Sequence, residues 1–384
     1  MRRLIKSVEL RACCGCGPWV KPMTDPTARL KAVRERIDAT DAEILRLLSE
    51  RARCAQEVAE IKSAQAPQTH FYRPEREAEI LRRIKAENPG PLHDEEVARL
   101  FREIMSACLA LEKPLSVAYL GPEGTFTQAA ALKHFGHSVH TLPFGAIGDI
   151  FREVEAGSCH FGVVPVENST EGVVSHTLDT FMQSPLHIAG EVTLRIHHHL
   201  MSCATSLAGV QRVYSHQQSL AQCRAWLDRH LPQAERIPVG SNAEAARLVA
   251  NTEGAGAVAG EAAAELYQLN LLANRIEDDP RNTSRFLIIG PEDAPPSGKD
   301  KTSLLLSCRN EAGGLYRLLT PMAEHAISMT RIESRPSRQG VWDYVFFVDL
   351  CGHRDDAQVA AALEKLKTSA NLFKILGSYP EAVL

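Results

Sequence analysis

Apolar residues recur at helical spacing along the first part of the chain. Between Thr27 and Ala64 they fall at Leu30, Val33, Ile37, Ile44, Leu47, Leu48, Val58 and Ile61, with helix formers between them and no Gly or Pro. The spacing predicts one helix of about 38 residues, about 57 Å long, ended by Pro67. A second amphipathic stretch follows Pro74 through Ile80, Leu81 and Ile84, and a third runs from Asp94 through Val97, Leu100, Phe101, Ile104, Met105, Cys108 and Leu111. Two short helices cannot cover so long an apolar stripe, which implies that a second copy of the chain does.

After Glu112-Lys113-Pro114 the pattern changes to alternating strands and helices. Ser116 to Leu120 reads as a strand, Gly121-Pro122-Glu123-Gly124-Thr125-Phe126 as a tight turn, and Thr127 to Phe135 as a helix. The layout recurs where Phe161 to Val166 runs into Glu167-Asn168-Ser169-Thr170-Glu171-Gly172, and where Val213-Tyr214 runs into Ser215-His216-Gln217-Gln218 before a helix bearing Gln222. Such turns place backbone N–H groups and short hydroxyls at the open ends of a parallel sheet, where anionic ligands bind. The expectation is an α/β domain of two lobes with a cleft between them. Residues 291 to 301 read as a linker. The C-terminal stretch beyond it reads β-α-β-β-α-β, with Thr302 to Ser307, Gly314 to Glu324, Ser328 to Ser334, Trp342 to Asp349, Ala357 to Ala370 and Phe373 to Tyr379 as the elements, the order of a small ferredoxin-like α+β sandwich.

The length of 384 residues exceeds what one core usually organises, in line with several domains. A net charge of -4 offers no field for collecting polyanions, so nucleic acid is not an expected partner. No apolar run approaches the roughly 20 residues that cross a bilayer, so no membrane role is expected. Seven cysteines (Cys54, Cys108, Cys159, Cys203, Cys223, Cys308, Cys351) stand singly, as reduced cytoplasmic thiols do. Cys13-Cys14-Gly15-Cys16 has no second ligand pair at a finger-like spacing, so no metal is assigned to it. Residues 1 to 22 lack the apolar core of a signal peptide and read as a disordered leader, ahead of a helical domain over 23 to 113.

Cations on the long helix suggest chemistry. Arg51 and Lys62 are eleven residues apart, about three turns, and point nearly the same way; Arg34 lies about 25 Å along the axis from Arg51 and about 100° around it. If Arg34 belongs to the same site, a partner chain supplies it. Residues 28 to 112 resemble the all-helical chorismate mutases, on Arg34, Arg51, Lys62, the Arg76-Glu77 pair within Tyr72-Arg73-Pro74-Glu75-Arg76-Glu77, and the last helix. The resemblance implies that Arg34 and Arg51 clamp carboxylates of chorismate, Lys62 bonds the breaking ether oxygen and Glu77 binds the ring hydroxyl. A pericyclic rearrangement needs only a compressed dianion and well-placed cations. The chain departs from the family pattern at Arg73, where relatives carry Asp, at Cys108, where they carry Ser, and at Glu112, where a Gln donates to the ether. An ionised Glu112 repels the dianion and helps only when protonated, so either burial raises its pKa or the mutase favours acid.

Residues 115 to 290, within a domain expected over 114 to 291, resemble prephenate dehydratase, on Gly-Pro-Glu-Gly-Thr-Phe, Val-Val-Pro-Val-Glu-Asn-Ser-Thr-Glu-Gly and Asn282-Thr283-Ser284-Arg285-Phe286, with lobes similar to those of periplasmic binding proteins. By that resemblance Thr125, Asn168, Ser169, Thr170, Ser215, Gln222, Ser284 and Arg285 line the cleft and bind prephenate, and Thr283 and Ser284 are the catalytic candidates. Dehydration needs a donor to the departing ring hydroxyl. Ser284 stands where relatives have Thr, Glu167 is an equal candidate for the acid, and Arg285 reads equally as a carboxylate clamp or a structural ion pair. His197-His198-His199, in a strand expected from Thr193 to Met201, lacks further metal ligands and reads as structural. No Walker loop, dinucleotide fingerprint or covalent-cofactor lysine motif is present, so no cofactor is expected.

The last segment, 300 to 384, resembles the ACT domains that bind amino acids, on Ala312-Gly313-Gly314-Leu315 and Glu333-Ser334-Arg335-Pro336. The resemblance implies that these two motifs form an inhibitory phenylalanine site. The whole then reads as a multidomain cytoplasmic enzyme, all-α followed by two-lobed α/β and ferredoxin-like α+β, acting as a homodimer or higher homo-oligomer. Its activities would be chorismate to prephenate and prephenate to phenylpyruvate. The alternative is a two-lobed ligand-binding regulator with an amino-acid sensor and no catalysis.

Overall fold

The computed structural model describes residues 25–65, 72–337 and 344–384. The leader reading of residues 1 to 22, with Cys13, Cys14 and Cys16, falls outside them, as does the expected strand start at Trp342. The chain forms two compact units, one ending at Cys54 and the other running from Ala55 to Leu384.

Helix α1 spans Pro26–Gln65, as its uninterrupted helix-forming sequence requires. In the first unit its apolar residues stay open: Leu30, Ile37, Leu45 and Leu47 are each half or more exposed. In the second unit, α2 (Pro74–Glu87) starts with proline at its first turn, where the missing N–H costs nothing. It packs Leu81 against Ala98 and Met105 of α3 (Asp94–Glu112). Tyr72 joins Phe135 and Phe161 in the core of the following domain. The glycine at 136 (φ +76°) allows this approach, because a Cβ there would lie 2.4 Å from the Ser106 side chain on α3.

The α/β region runs β1 (Ser116–Leu120), α4 (Phe126–Phe135), β2 (His140–Phe144), α5 (Ile147–Glu155), β3 (Phe161–Asn168), β4 (Gly172–Val173), α6 (Ser175–Phe181) and β5 (His187–Arg195). The chain then crosses to β6 (His199–Ser202), β7 (Arg212–His216), α7 (Gln217–Gln222), α8 (Arg224–His230), β8 (Glu235–Val239), α9 (Asn242–Val249), β9 (Ala255–Ala259), α10 (Glu261–Tyr267) and β10 (Asn270–Ala273), and returns as β11 (Thr283–Gly290). Two sheets result, β2-β1-β3-β11-β5 with β4 on β3, and β10-β6-β9-β7-β8. Each is a lobe with its own apolar core. The single strand expected from Thr193 to Met201 is broken at Ile196 to His198, because the chain passes between lobes there.

The last segment is β12 (Asp300–Ser307), α11 (Gly314–Glu324), β13 (Met329–Pro336), β14 (Tyr344–Cys351), α12 (Ala357–Ser369) and β15 (Leu372–Pro380), paired β13-β14-β12-β15. Strand alternation gives the sheet two apolar faces. Leu304, Leu306, Val348 and Leu350 pack on α11 and α12, while Leu305, Val345, Phe347 and Tyr379 share a core with Ile188 and Ile289 of the first lobe. The segment 291 to 301 is therefore not a free linker. Ala294 is buried with its carbonyl accepting from His353 Nε2 (2.9 Å), and Asp293 is paired with Arg354.

Candidate functional site

A cavity of about 530 Å³ lies between the two lobes, lined by the three turns and the end of β11. Thr125 caps α4, its hydroxyl accepting from Gln128 N and donating to Leu120 O (3.0 Å). Asn168 ends β3 and its amide is the hub of the site. Nδ2 donates to Ser284 Oγ (2.9 Å) and Asn282 Oδ1 (2.8 Å), while Oδ1 accepts from the backbone of Thr170 and Glu171. Asn282 in turn donates to Gln222 Oε1 (3.0 Å), which also meets His198 Nε2 (2.9 Å). One hydrogen-bonded chain thus joins both lobes from His198 through Gln222, Asn282 and Asn168 to Ser284.

The structure sorts the expected residues by which face of an element they occupy. Ser284, Asn168, Thr125 and Gln222 line the cavity. Thr283, the neighbour of Ser284, points the other way along the strand and donates to Arg281 O (2.9 Å). Ser169 Oγ accepts from Thr283 N and Thr170 Oγ1 bonds Asn282, so both brace the turn without lining the cavity. Ser215 is fully buried and bonds Asn242 Oδ1 (3.0 Å), so it reaches the cleft only through Asn242.

Arg285 is a correction to the cleft-lining expectation. Its guanidinium lies on the opposite face from Ser284, bonded to Glu191 Oε2 (2.8 Å), Asp349 Oδ2 (2.6 Å) and Tyr379 Oη (3.0 Å). Burial alone would lower its pKa, but these neighbours outweigh that and raise it. The structural ion pair, left open in the sequence, is what forms.

His198, Asn282 and Phe126, which stand in motifs read from the sequence without a site role of their own, and Asn242, which the sequence did not mark, are cavity or network residues. His198 is buried with its ring edge-on to Phe126, and burial lowers its pKa, so it is neutral near pH 7. Its two neighbours point elsewhere, His197 to Glu277 (2.7 Å) and His199 to Asn274 (3.0 Å). The triplet was visible; which member faces the cleft was not. Among the described residues no group of three or more His, Cys, Asp or Glu is placed to hold a metal, and no helix is long and apolar enough to cross a membrane.

Of the residues expected at a mutase site, Arg34 is exposed and Arg51 half-buried on α1 in the first unit. In the second, Lys62 Nζ lies 3.8 Å from Glu112 Oε2, the two side chains only 21% and 13% exposed. Glu77 pairs with Arg102, a buried arginine of α3 that periodicity did not flag. Cys108 is buried on the same helix. Arg73, a candidate for substrate binding, is turned to the buried Glu75 (2.5 Å).

In the last domain the residue at 313 has φ +75°, and a Cβ on Gly314 would lie 2.6 Å from Arg309 O, so both glycines are demanded by the backbone that starts α11. Leu315 is partly exposed beside them. On β13, Glu333 and Arg335 turn inward while Ser334 and Pro336 are exposed. Arg335, expected at an amino-acid site, is engaged by Asp179 Oδ1 (2.8 Å) and Ser175 Oγ (2.6 Å) of α6.

A helical region, a two-lobed domain with a cleft lined by these turns, and a β-α-β-β-α-β domain make this a multidomain protein. Family models match residues 33–113 as chorismate mutase type II, 117–294 as prephenate dehydratase and 302–368 as ACT domain. The chain is 59% identical over 360 residues to a bifunctional chorismate mutase/prephenate dehydratase of Stutzerimonas stutzeri, covering 93% of this chain and 99% of that protein. It is 57% identical over 362 residues to one of Pseudomonas aeruginosa, again covering 93% and 99%. Among solved structures, a prephenate dehydratase of Arthrobacter aurescens in complex with L-Phe superposes with a TM-score of 0.65 at 32% identity, covering 69% of this chain and 90% of that one. The chain belongs to the bifunctional chorismate mutase/prephenate dehydratase family.

Proposed function

We propose that the chain rearranges chorismate to prephenate and then converts prephenate to phenylpyruvate, under inhibition by L-phenylalanine. The observation that carries the dehydratase reading is the Asn168 amide bonded at once to Ser284 and Asn282 in the interlobe cavity. In that step the ring carboxylate leaves as carbon dioxide, its bonding electrons aromatise the ring, and the C–O bond breaks with one proton added, releasing water. Ser284, oriented by Asn168, supplies the hydrogen bond to the departing hydroxyl, and Gln222 and the turn capped by Thr125 hold the anion.

For the mutase step, Lys62 bonds the ether oxygen, Arg51 and Arg34 hold carboxylates, and Glu77 binds the ring hydroxyl, oriented by Arg102. The half-exposed apolar residues of α1 support a homodimer in which Arg34 serves the partner's site. The motifs at Gly313 to Leu315 and Glu333 to Pro336 form the phenylalanine site, and the enzyme works in the cytoplasm, where its described cysteines stay free thiols. Incubation of the purified chain with chorismate, with and without L-phenylalanine, tests the reading. Phenylpyruvate should form and the effector should suppress it, whereas unconsumed chorismate and prephenate would leave the non-catalytic regulator.

A further inference from the structure

Two strand pairs meet across the boundary between the first lobe and the last domain with their charges crossed. On β3 and β11, Glu167 and Arg285 are Cα partners; on β13 and β14, Arg331 and Asp349 are. The ion pairs run between the domains: Arg331 Nε to Glu167 Oε2 at 3.3 Å, and Arg285 Nη1 to Asp349 Oδ2 at 2.6 Å. The two differ in support. Arg285 is braced by Glu191 and Tyr379, and Asp349 also accepts from Ser303, so this pair is a fixed anchor. Arg331, 11% exposed, leaves Nη2 buried with no hydrogen-bond partner among the described residues.

Glu167 lines the cleft beside Asn168, the hub that orients Ser284. We propose that Arg331 is a positioning residue of the dehydratase, supplied by the C-terminal domain, which holds the Glu167 carboxylate in place at the cleft with a grip that varies with the position of β13. An ion-paired carboxylate accepts hydrogen bonds and does not donate them, so Glu167 orients substrate while Ser284 keeps the donor role. The Nη2 of Arg331 is thus a donor in reserve. Small displacements of β13 therefore tighten or release Glu167. The same strand carries Arg335, bonded to α6, and presents Ser334 and Pro336 on its other face. A ligand at those residues thus acts on the strand that holds Arg331.

This inference rests on the cavity being the dehydratase site, which wild-type turnover of prephenate tests separately. The comparison uses the full chain carrying Arg331→Met, Arg331→Lys, Glu167→Gln or Arg331→Met with Glu167→Gln, with the chorismate mutase rate as internal control. Arg331→Met should lower dehydratase kcat about tenfold or more while the mutase rate stays within about twofold, Arg331→Lys should recover most of the loss, and the double variant should be no worse than Glu167→Gln alone. Turnover of Arg331→Met within about twofold of wild type, or losses that multiply in the double variant, would overturn the proposal. If Arg331→Met also loses mutase activity, the chain is misfolded and the other two single variants decide. Positioning then requires Arg331→Lys near wild type with Glu167→Gln strongly impaired, and undiminished turnover in both overturns it.

Discussion

Replacing Arg285 with methionine separates an ion-pair anchor from a substrate clamp. The side chain is 16% exposed and touches Glu191 and Asp349, themselves only 3% and 6% exposed. Lys301 also pairs with Glu191 (2.7 Å), so the cluster holds two cations and two anions. Without Arg285, Glu191 keeps a cation, but among the described residues the Asp349 carboxylate keeps only the Ser303 hydroxyl (2.6 Å) and loses the guanidinium that balances its charge. Stranding a buried charge in this way costs about 3 to 5 kcal/mol. For a cooperative unit running from Ala55 to Leu384, that corresponds to a fall in Tm of roughly 4 to 7 °C. Adding Asp349→Asn to the Arg285→Met chain should recover part of the fall, because it removes the stranded charge. Thermal unfolding by circular dichroism gives the Tm, and steady-state kinetics gives KM for prephenate. A Tm within about 2 °C of wild type together with a KM raised about tenfold would refute the reasoning and return Arg285 to the cleft.

Three further outcomes are expected. Burial holds His134, bonded to Tyr72 Oη, well below its ordinary pKa and lowers that of His198, so the unfolded chain binds more protons than the folded one as pH falls below about 6.5. Stability should therefore drop on acidification by up to about 1.4 kcal/mol per pH unit per histidine, and a Tm that is flat or rising from pH 7.5 to 5.5 would contradict this. Glu112→Gln should raise mutase kcat/KM at pH 7.5, since it removes an anion 3.8 Å from Lys62; an unchanged or lowered value would show that Glu112 does not oppose the dianion. Arg34→Ala and Arg51→Ala homodimers should each be nearly inactive as mutases, while isolated heterodimers should recover about half the wild-type turnover; no recovery would place both arginines in single-chain sites.

The allosteric reading gains a physical route from the same interface. The inner sheet face of the last domain shares its core with the first lobe, so the domain cannot shift without repacking Ile188, Ile289 and Tyr379. A packed interface of this kind switches between discrete arrangements and does not deform continuously.

The elements were legible in the sequence because they depend on local rules. A run from Thr27 to Ala64 without glycine or proline forms helix whatever lies around it, and the turns at Gly121 to Phe126 and Glu167 to Gly172 each join a strand to the next element by short-range chemistry. Side-chain alternation also requires Ser284 and Arg285 to face opposite ways. Which of them meets the cleft was decided only when β11 paired with β3 and β5 and the last domain covered its other face. His198 became a cleft residue because the chain breaks between β5 and β6, and Arg335 found Asp179 because β13 lies against α6. Arg331 and Glu167, like Arg102 and Glu77, carry nothing in their spacing that marks them as partners. Such pairs arise from contacts between segments distant in the chain, which only the packed cores hold together.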